Sequence, residues 1–457
     1  MNQVLDTLRE VTRDSKYESR LYLVGGIVRD KFLSGEPNED IDIVLEGDAL
    51  ELAAFLYEQG VADHPPVTYP RFGTAMISVK GRHVELVGAR KESYDPSSRK
   101  PSTQPGTLLD DILRRDFTIN TLLENLHSGE VQDLTRQALL DIENKIIRTP
   151  QDPHITFADD PLRMLRAVRF ATRFGFIIDA DTYTAICDCA NRLKIISNER
   201  IREEFIKILM SQDYAAGLEQ LRETKLLEQF VPELSAMYGV TQNIYHIYDV
   251  WTHTLKTLES IPAEMGITLK LTALLHDIGK VSTRTIDENG AVHFYRHQIV
   301  GAEMARHLLH RLKFSNSQIE EIAFLISMHL RVGEYDYQWS DVAVRRLLRD
   351  VGHQLDNLIV LTKADRAASN PDMPGVDLTA FCEHVEHVRC ELAGQHIASP
   401  LSGSEIIKLL GIPQGPKVGE IKAFLESEII EGNLLAGDKA AAGELVLRKY
   451  SHANEKL

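Results

Sequence analysis

The run Leu23-Val24-Gly25-Gly26-Ile27-Val28-Arg29-Asp30-Lys31-Phe32-Leu33, followed by Glu39-Asp40-Ile41-Asp42-Ile43-Val44-Leu45-Glu46-Gly47, decides the fold. An apolar strand enters a Gly25-Gly26 turn, a helix leaves it carrying Arg29 and Asp30, and a second apolar strand opens on Asp40-x-Asp42. Residues two apart on a strand share a face, so both carboxylates can hold hard cations while the glycines let backbone N–H groups approach a triphosphate. Taken singly, each half reads as a turn or a solvated strand edge. Together they imply nucleotidyl-transfer geometry. Glu85 in the strand-like run Val84-Glu85-Leu86-Val87 reads either as a third carboxylate or as an exposed alternating residue.

Working outward, residues 21–130 read as mixed α/β, with β-rich runs at 21–24, 41–45, 74–79 and 83–87 broken by Gly, Pro and Asp. The proline-, serine- and lysine-rich stretch 90–111 reads as a mobile surface loop. Residues from about 150 to 450 read as almost continuous amphipathic helix, with Pro, Gly and Ser punctuation at 394–404 and 411–419. Leu162, Leu165 and Val168 set one face of such a helix, and Arg163, Arg166, Arg169 and Arg173 recur along it.

The ordered set Gly-Gly-Ile-Val-Arg-Asp (25–30), Asp-Ile-Asp (40–42), Phe72-Gly73-Thr74, Arg114-Arg115-Asp116, Asp159 to Phe170 and Glu199 to Leu209 resembles the class II tRNA nucleotidyltransferases, the CCA-adding enzymes. The resemblance implies an α/β, polymerase-beta-like nucleotidyltransferase head followed by a mostly α-helical neck, an HD body and a tail. The corresponding spans are 1–140 with a flexible loop at 90–111, 141–240, 241–395 and 396–457. It implies addition of CCA to the tRNA 3′ end from CTP and ATP with release of pyrophosphate. Asp40 and Asp42, with Glu85 as a third candidate, are then the catalytic carboxylates and hold Mg²⁺. Gly25, Gly26, Arg29, Arg114, Arg115, Asp116, Asn120, Asp160, Arg163, Arg166 and Arg169 bind the nucleotide. Asp133, Asp141 and Arg148 match the family's hinge-like motif, with Arg136 and Ala138 standing where glycines are common. Arg173, Lys207, Lys408, Lys417 and Lys422 join Arg166 and Arg169 as candidates for tRNA phosphates, and each also reads as a solvated helix face.

Asp160-Pro161-Leu162-Arg163 suggests how bases could be chosen without a nucleic-acid template. An Asp at the helix cap and an Arg one turn in would offer one acceptor beside a fork of donors. Cytosine and adenine both present an amino donor beside a ring-nitrogen acceptor; guanine and uracil present the reverse order and would leave buried groups unpaired. The plain alternative is a capped helix. The first position of this motif is Asp159, where the family usually has Glu. Glu199, Arg200 and Glu203 read either as side supports for this helix or as a surface ion-pair network.

A second constellation lies downstream: His253, the adjacent His276-Asp277 with Lys280, His297, His329 and Asp365. Imidazoles and carboxylates converging on one point suit a divalent metal. The pattern resembles the HD phosphohydrolases over about 245–370. That resemblance implies His253, His276, Asp277 and Asp365 as core ligands of a divalent transition metal or Mg²⁺, His297 and His329 as second-metal candidates, and phosphatase or phosphodiesterase activity. An HD fold serving only as a helical platform for tRNA is the alternative. For the whole chain the competing readings are an A-adding or CC-adding specialist, a poly(A) polymerase, an HD phosphohydrolase with a non-catalytic head, and a non-catalytic tRNA-binding or chaperone protein. Tyr69 to Ile77 lacks the basic Gly-Arg-Arg/Lys-Phe element of the poly(A) polymerases.

Composition narrows the classes. Across 457 residues, 51 Lys and Arg against 67 Asp and Glu give a net charge of −16, with 43% hydrophobic and 26% charged residues. That is ordinary globular composition, which excludes global disorder. The acidity argues against unspecific coating of nucleic acid and predicts strongly salt-sensitive tRNA binding through a confined basic patch. With no apolar leader or membrane-length run, a cytoplasmic location is expected. Cys187, Cys189, Cys382 and Cys390 read as free thiols rather than a disulfide framework.

Overall fold

The computed structural model describes residues 2–33, 40–95, 98–393 and 398–450. The chain divides into two compact units, one formed by Met1–Ser235 with Arg311–Lys313 and the other by Ala236–His310 with Phe314–Leu457.

The first unit is organised by a mixed sheet. Its strands are β1 (Leu21–Val24), β2 (Ile41–Leu45), β3 (Val67–Tyr69), β4 (Thr74–Val79), β5 (Arg82–Gly88), β8 (Leu123–Asn125) and β9 (Val131–Gln132), and they lie in the order β3-β4-β5-β2-β1-β8-β9. Only β2 and β5 run parallel, and their register sets Asp42 beside Glu85. Leu21, Leu23, Val24, Ile41, Ile43, Val44 and Leu45 are all buried, which accounts for the apolar character of these central strands apart from Asp42. The helix Ala49–Glu58 buries Ala49, Leu52, Ala53 and Leu56, and Asp48 caps it by accepting the Leu50 and Glu51 N–H groups.

The expected loop at 90–111 takes a different form. Strands β6 (Arg90–Asp95) and β7 (Ser98–Pro105) form an antiparallel ribbon that pairs Arg90 with Pro105 and Ser93 with Ser102. Thr107 then caps a helix at Leu108–Leu113 through a reciprocal capping box with Asp110. A ribbon held by backbone hydrogen bonds shows no apolar alternation, and its prolines are tolerated because both strands are edges.

The rest of this unit is helical. A two-residue parallel pairing, β10 (Ile146–Ile147) with β11 (Ile177–Ile178), precedes and follows the helix Leu162–Phe174. That helix packs chiefly against Asn198–Leu209, where Ile201, Phe205 and Ile208 are buried.

The second unit is almost entirely helical. Val250–Glu259, Ile267–Leu275 and Leu355–Ala367 pack on one another, while Val344, Leu347, Leu358, Phe381 and Val388 belong to a neighbouring core. Farther along, Gly403–Leu410, Pro416–Ile430 and Lys439–Tyr450 enclose a separate apolar cluster around Ile421, Leu425 and Val446. Of the expected punctuation at 394–404, positions 394–397 lie outside the described residues. Among the described residues no helix is long and apolar enough to cross a membrane. All four cysteines are free, and burial pushes the Cys187 and Cys189 thiols up.

Candidate functional site

The first site is a polar cavity of about 380 Å³ in the first unit. Gly25 and Gly26, Asp40 and Asp42, Arg29, Arg115, Asp116, Asn120, Arg166 and Arg169 all line it. Gly25 sits at φ +80°, a conformation costly for any side chain, and a Cβ there would lie 3.6 Å from Asp42 Oδ2 and 3.8 Å from an Arg115 guanidinium nitrogen. Backbone therefore passes directly over the carboxylate. Asp40 is exposed and Asp42 half-buried. Burial first, then the charges of Glu85 and Asp40, push the Asp42 carboxyl up to about 6, with Arg115 opposing. Crowded like charges of this kind fit a divalent cation, whose binding would remove the penalty on ionisation.

A buried network forms the cavity's far wall. Arg29 donates to Asp30 Oδ1 (2.7 Å) and Asn120 Oδ1 (2.6 Å), Asn120 Nδ2 donates to Asp116 Oδ1 (2.9 Å), and Arg166 grips Asp116 Oδ2 at 2.8 and 2.5 Å. Burial alone would raise the Asp116 carboxyl, but Arg166 and the Asn120 bond hold it well below the ordinary carboxylate range. Arg169 stands 2.9 Å from the buried Glu204, while burial and the neighbouring arginines lower its guanidinium to about 10. Phe170 and Phe174 stack at 5.7 Å, and their rings carry the guanidinium groups of Arg169 (4.3 Å), Arg29 (4.7 Å), Arg173 (5.2 Å) and Arg166 (5.3 Å). Aromatic support of this sort fixes guanidinium planes without consuming their donors.

Other expected residues lie elsewhere. Glu85 is exposed and is not part of the cavity lining, but it pairs with Asp42 in the strand register and its charge helps raise that carboxyl. Arg114 is outside the cavity wall, turned onto the buried Asp111. The Asp160–Arg163 pair is not side by side. Asp160 accepts the Leu162 N–H and pairs with Arg200 at 2.9 Å, whereas the buried Arg163 donates to the Arg114 carbonyl (2.6 Å) and the Thr156 carbonyl. As the sequence suggests, Asp160 caps this helix: its backbone is extended, its side chain accepts the Leu162 N–H and Pro161 already has helical dihedrals, while Arg163 one turn in is buried. Arg173 and Lys207, grouped by sequence with the tRNA-phosphate candidates, line this same cavity. The supporting acid on the next helix is Glu204 rather than Glu203. On the hinge-like segment, Asp141 is fully buried and accepts from Thr118 Oγ1 (2.6 Å), Gln137 Nε2 (2.9 Å) and Arg148 Nε (3.3 Å). Arg136 there sits at φ +56°. Lys408 and Lys417 are exposed and Lys422 partly so.

The second site, in the second unit, gathers every expected histidine and aspartate. His253 Nε2 lies 2.9 Å from Asp365 Oδ1 and 3.5 Å from Asp277 Oδ2; His276 Nε2 lies 3.2 Å from Asp277 Oδ2. On the other side of Asp277, its Oδ1 is 3.3 Å from His297 Nε2, which is itself 3.3 Å from His329 Nε2. Each of these histidines turns Nδ1 to a backbone carbonyl: His253 to Ala368, His276 to Ala273, His297 to Phe294 and His329 to Ile326. A carbonyl only accepts, so Nδ1 carries the hydrogen and a neutral ring directs its Nε2 lone pair inward. The buried Nε2 atoms of His253 and His276 accordingly have no hydrogen-bond partner. Lone pairs facing carboxylate oxygens fit a divalent metal. Burial alone would lower His276, but the charges of Asp277 and Asp365 outweigh it and raise the imidazole above its ordinary range. His329 stays neutral, pushed down to about 3 by burial and the neighbouring imidazoles. Lys280 donates to Asp277 Oδ2 at 2.7 Å. Sequence reasoning missed His246, whose ring centroid is 4.7 Å from that of His253 and whose side chain lines the same cavity.

Three family models match in chain order: the poly A polymerase head domain over 21–148, the probable RNA- and SrmB-binding site of polymerase A over 175–238, and the HD domain over 243–370. The chain is 33% identical to the A-adding tRNA nucleotidyltransferase of Deinococcus radiodurans, covering 89% of this chain and 91% of that one. It is 30% identical to the CC-adding tRNA nucleotidyltransferase of Thermus thermophilus, covering 92% of both. The chain belongs to the tRNA nucleotidyltransferase family. As a member it is an enzyme, a nucleotidyltransferase with an HD domain, and the family implies dependence on a divalent metal. The crystal structure of the Bacillus stearothermophilus CCA-adding enzyme in complex with CTP shares the fold, with a TM-score of 0.66, 21% identity and full coverage of both chains.

Proposed function

We propose that this nucleotidyltransferase adds CCA to the tRNA 3′ end from CTP and ATP, in the cytoplasm. The reading is supported above all by the cavity that sets Asp40 and Asp42 opposite Arg115, Arg166, Arg169, Arg173 and Lys207. Asp40 and Asp42 would hold Mg²⁺, which when bound supplies Lewis-acid polarisation of the α-phosphate and a more acidic tRNA 3′-hydroxyl. The five cationic side chains neutralise the triphosphate and the departing pyrophosphate. The Arg29–Asn120–Asp116–Arg166 network fixes the wall against which sugar and base rest. The 3′-oxygen forms the new bond to the α-phosphorus as the bond to the β-phosphate bridging oxygen breaks; no covalent enzyme intermediate is required. Base choice by Asp160 and Arg163 requires both to leave the partners they hold in this structure, Arg200 for one and two carbonyls for the other. The division into a head at 1–140, a neck at 141–240, an HD body at 241–395 and a tail at 396–457 belongs to this reading, as does phosphatase or phosphodiesterase activity at the HD site.

A second reading, a specialist that adds only part of the CCA end, has its own support: two relatives matched over nearly full length are an A-adder and a CC-adder. Primer extension decides. With Mg²⁺ and tRNA transcripts lacking CCA, lacking CA and lacking A, addition of C, C and A to the first and then arrest is the expected result. Extension of only the last transcript identifies an A-adder, arrest after two C residues a CC-adder, and no incorporation refutes a catalytic head.

A further inference from the structure

We propose that His246 is a further ligand of the HD centre, binding through Nε2 a divalent transition cation that His253 and Asp365 also hold. The inference rests on the HD cluster being a metal site and extends it by a position outside the histidine and aspartate set read from sequence. Ligand atoms of His246, His253 and Asp365 lie within 4.8 Å of one another, as do those of His253, His276 and Asp277 and those of Asp277, His297 and His329. The three groups overlap in a row through His253 and Asp277.

Proximity alone would leave His246 a neighbour, but its hydrogen bonding matches that of the ligands. Its Nδ1 bonds Asn243 Oδ1 at 3.0 Å, as the other four histidines bond carbonyl oxygens through Nδ1. Lys280 Nζ, which can only donate, points at His246 Nε2 from 3.3 Å, so that nitrogen presents its lone pair. Across the same gap, the buried His253 Nε2 has no hydrogen-bond partner and faces Asp365 Oδ1 at 2.9 Å. Three electron-pair donors thus converge where nothing donates to all of them. A cation entering this gap displaces only the longest of the Lys280 contacts; those to Asp277 Oδ2 and Gln242 Oε1, at 2.7 Å each, hold the ammonium at the side. Two imidazoles and one carboxylate favour manganese, iron, cobalt or zinc over Mg²⁺. The cavity of about 290 Å³ beside them leaves room for water or a phosphate oxygen as a further ligand.

The test uses full-length protein stripped with chelator, then titrated with Co²⁺ in excess Mg²⁺, which occupies the head. Bound cobalt is counted by visible absorption and by elemental analysis after gel filtration, for wild type and His246→Ala. Loss of about one equivalent, or a Kd weakened at least ~10–100-fold, is expected. A His246→Ala titration that superimposes on wild type overturns the proposal, whereas wild type that binds no Co²⁺ overturns the metal reading of the HD site beneath it. Should the variant fail to fold, carbethoxylation of wild type followed by peptide mapping decides: Co²⁺ must protect His246, and equal modification with and without the ion refutes its ligation.

Discussion

Replacing Asp42 by Asn should stabilise the cation-free protein while abolishing nucleotide addition. The Asp42 carboxyl is held at about 6 against an ordinary 3.8. At ~1.4 kcal/mol for each pH unit, ionising it in the folded chain costs about 3 kcal/mol more than in the unfolded chain. Because the side chain keeps part of its solvent contact, we expect roughly 1–2 kcal/mol of this to be measurable. The sign follows from linkage. A carboxyl whose folded value is raised contributes stability that is fully present below its unfolded value and is lost as pH rises through the folded value, here about 6. Asn has no charge to bury and escapes that loss. In EDTA at about pH 7.5 the variant should therefore melt about 3–6 °C above wild type, and near pH ~4 the advantage should vanish. Adding Mg²⁺ should raise the melting temperature of wild type and leave the variant unmoved. A variant no more stable than wild type near neutrality without cation, or equally favoured at both pH values, would refute this account of Asp42.

At limiting Mg²⁺, where proton and cation compete for it, the same carboxyl should give incorporation an acid limb near pH 6, and Glu85→Gln should move it lower, since Glu85 is a leading cause of the rise; collapse of activity would make Glu85 a working carboxylate instead. Gly25→Ala forces a side chain into a left-handed backbone beside Asp42, at a cost of ~1–2 kcal/mol in denaturant titrations and most of the turnover. Asp141→Ala strips three donors of their buried acceptor and should lower unfolding free energy by ~2–4 kcal/mol; a change below ~1 kcal/mol would contradict its central place. Gly279→Ala would set a Cβ 2.2 Å from the His297 carbonyl, so cobalt uptake at the HD site should fall while primer extension continues.

Strands were legible where burial is continuous or alternates. Leu21–Val24, Ile41–Leu45 and Thr74–Val79 end where the sequence pattern ends, and β5 is only slightly longer than its apolar run. The 90–111 ribbon was illegible because backbone pairing between polar edge strands leaves no period in the side chains. Within the first cavity the acids and arginines stood out as charge in an apolar frame. Their supports did not: the Phe170–Phe174 platform reads as core, and Glu204 hides among surface charges. Glu204 was nevertheless recoverable, lying three residues after Ile201 and four before Ile208, both on the buried face. Arg163 shows the opposite failure, since spacing gives a helical face but not which guanidinium finds a carbonyl below it. His253, His276 and His329 announced themselves by interrupting apolar helices; His246 lies between exposed Ile244, Tyr245, Ile247 and Tyr248, where nothing marks one polar ring.

Arg136 gives the hinge-like segment an evolutionary dimension. Its backbone already holds the left-handed turn that glycine adopts freely, with the Arg136 N–H bonded to the Asp133 carbonyl. Relief of roughly 1 kcal/mol of strain on replacement by glycine would nearly balance glycine's greater freedom in the unfolded chain, so the exchange is close to neutral for stability. Every arginine codon also lies a single base from a glycine codon. Drift can therefore exchange arginine and glycine at this turn without passing through an unstable intermediate, so its backbone stiffness is open to selection separately from the chemistry of the carboxylates.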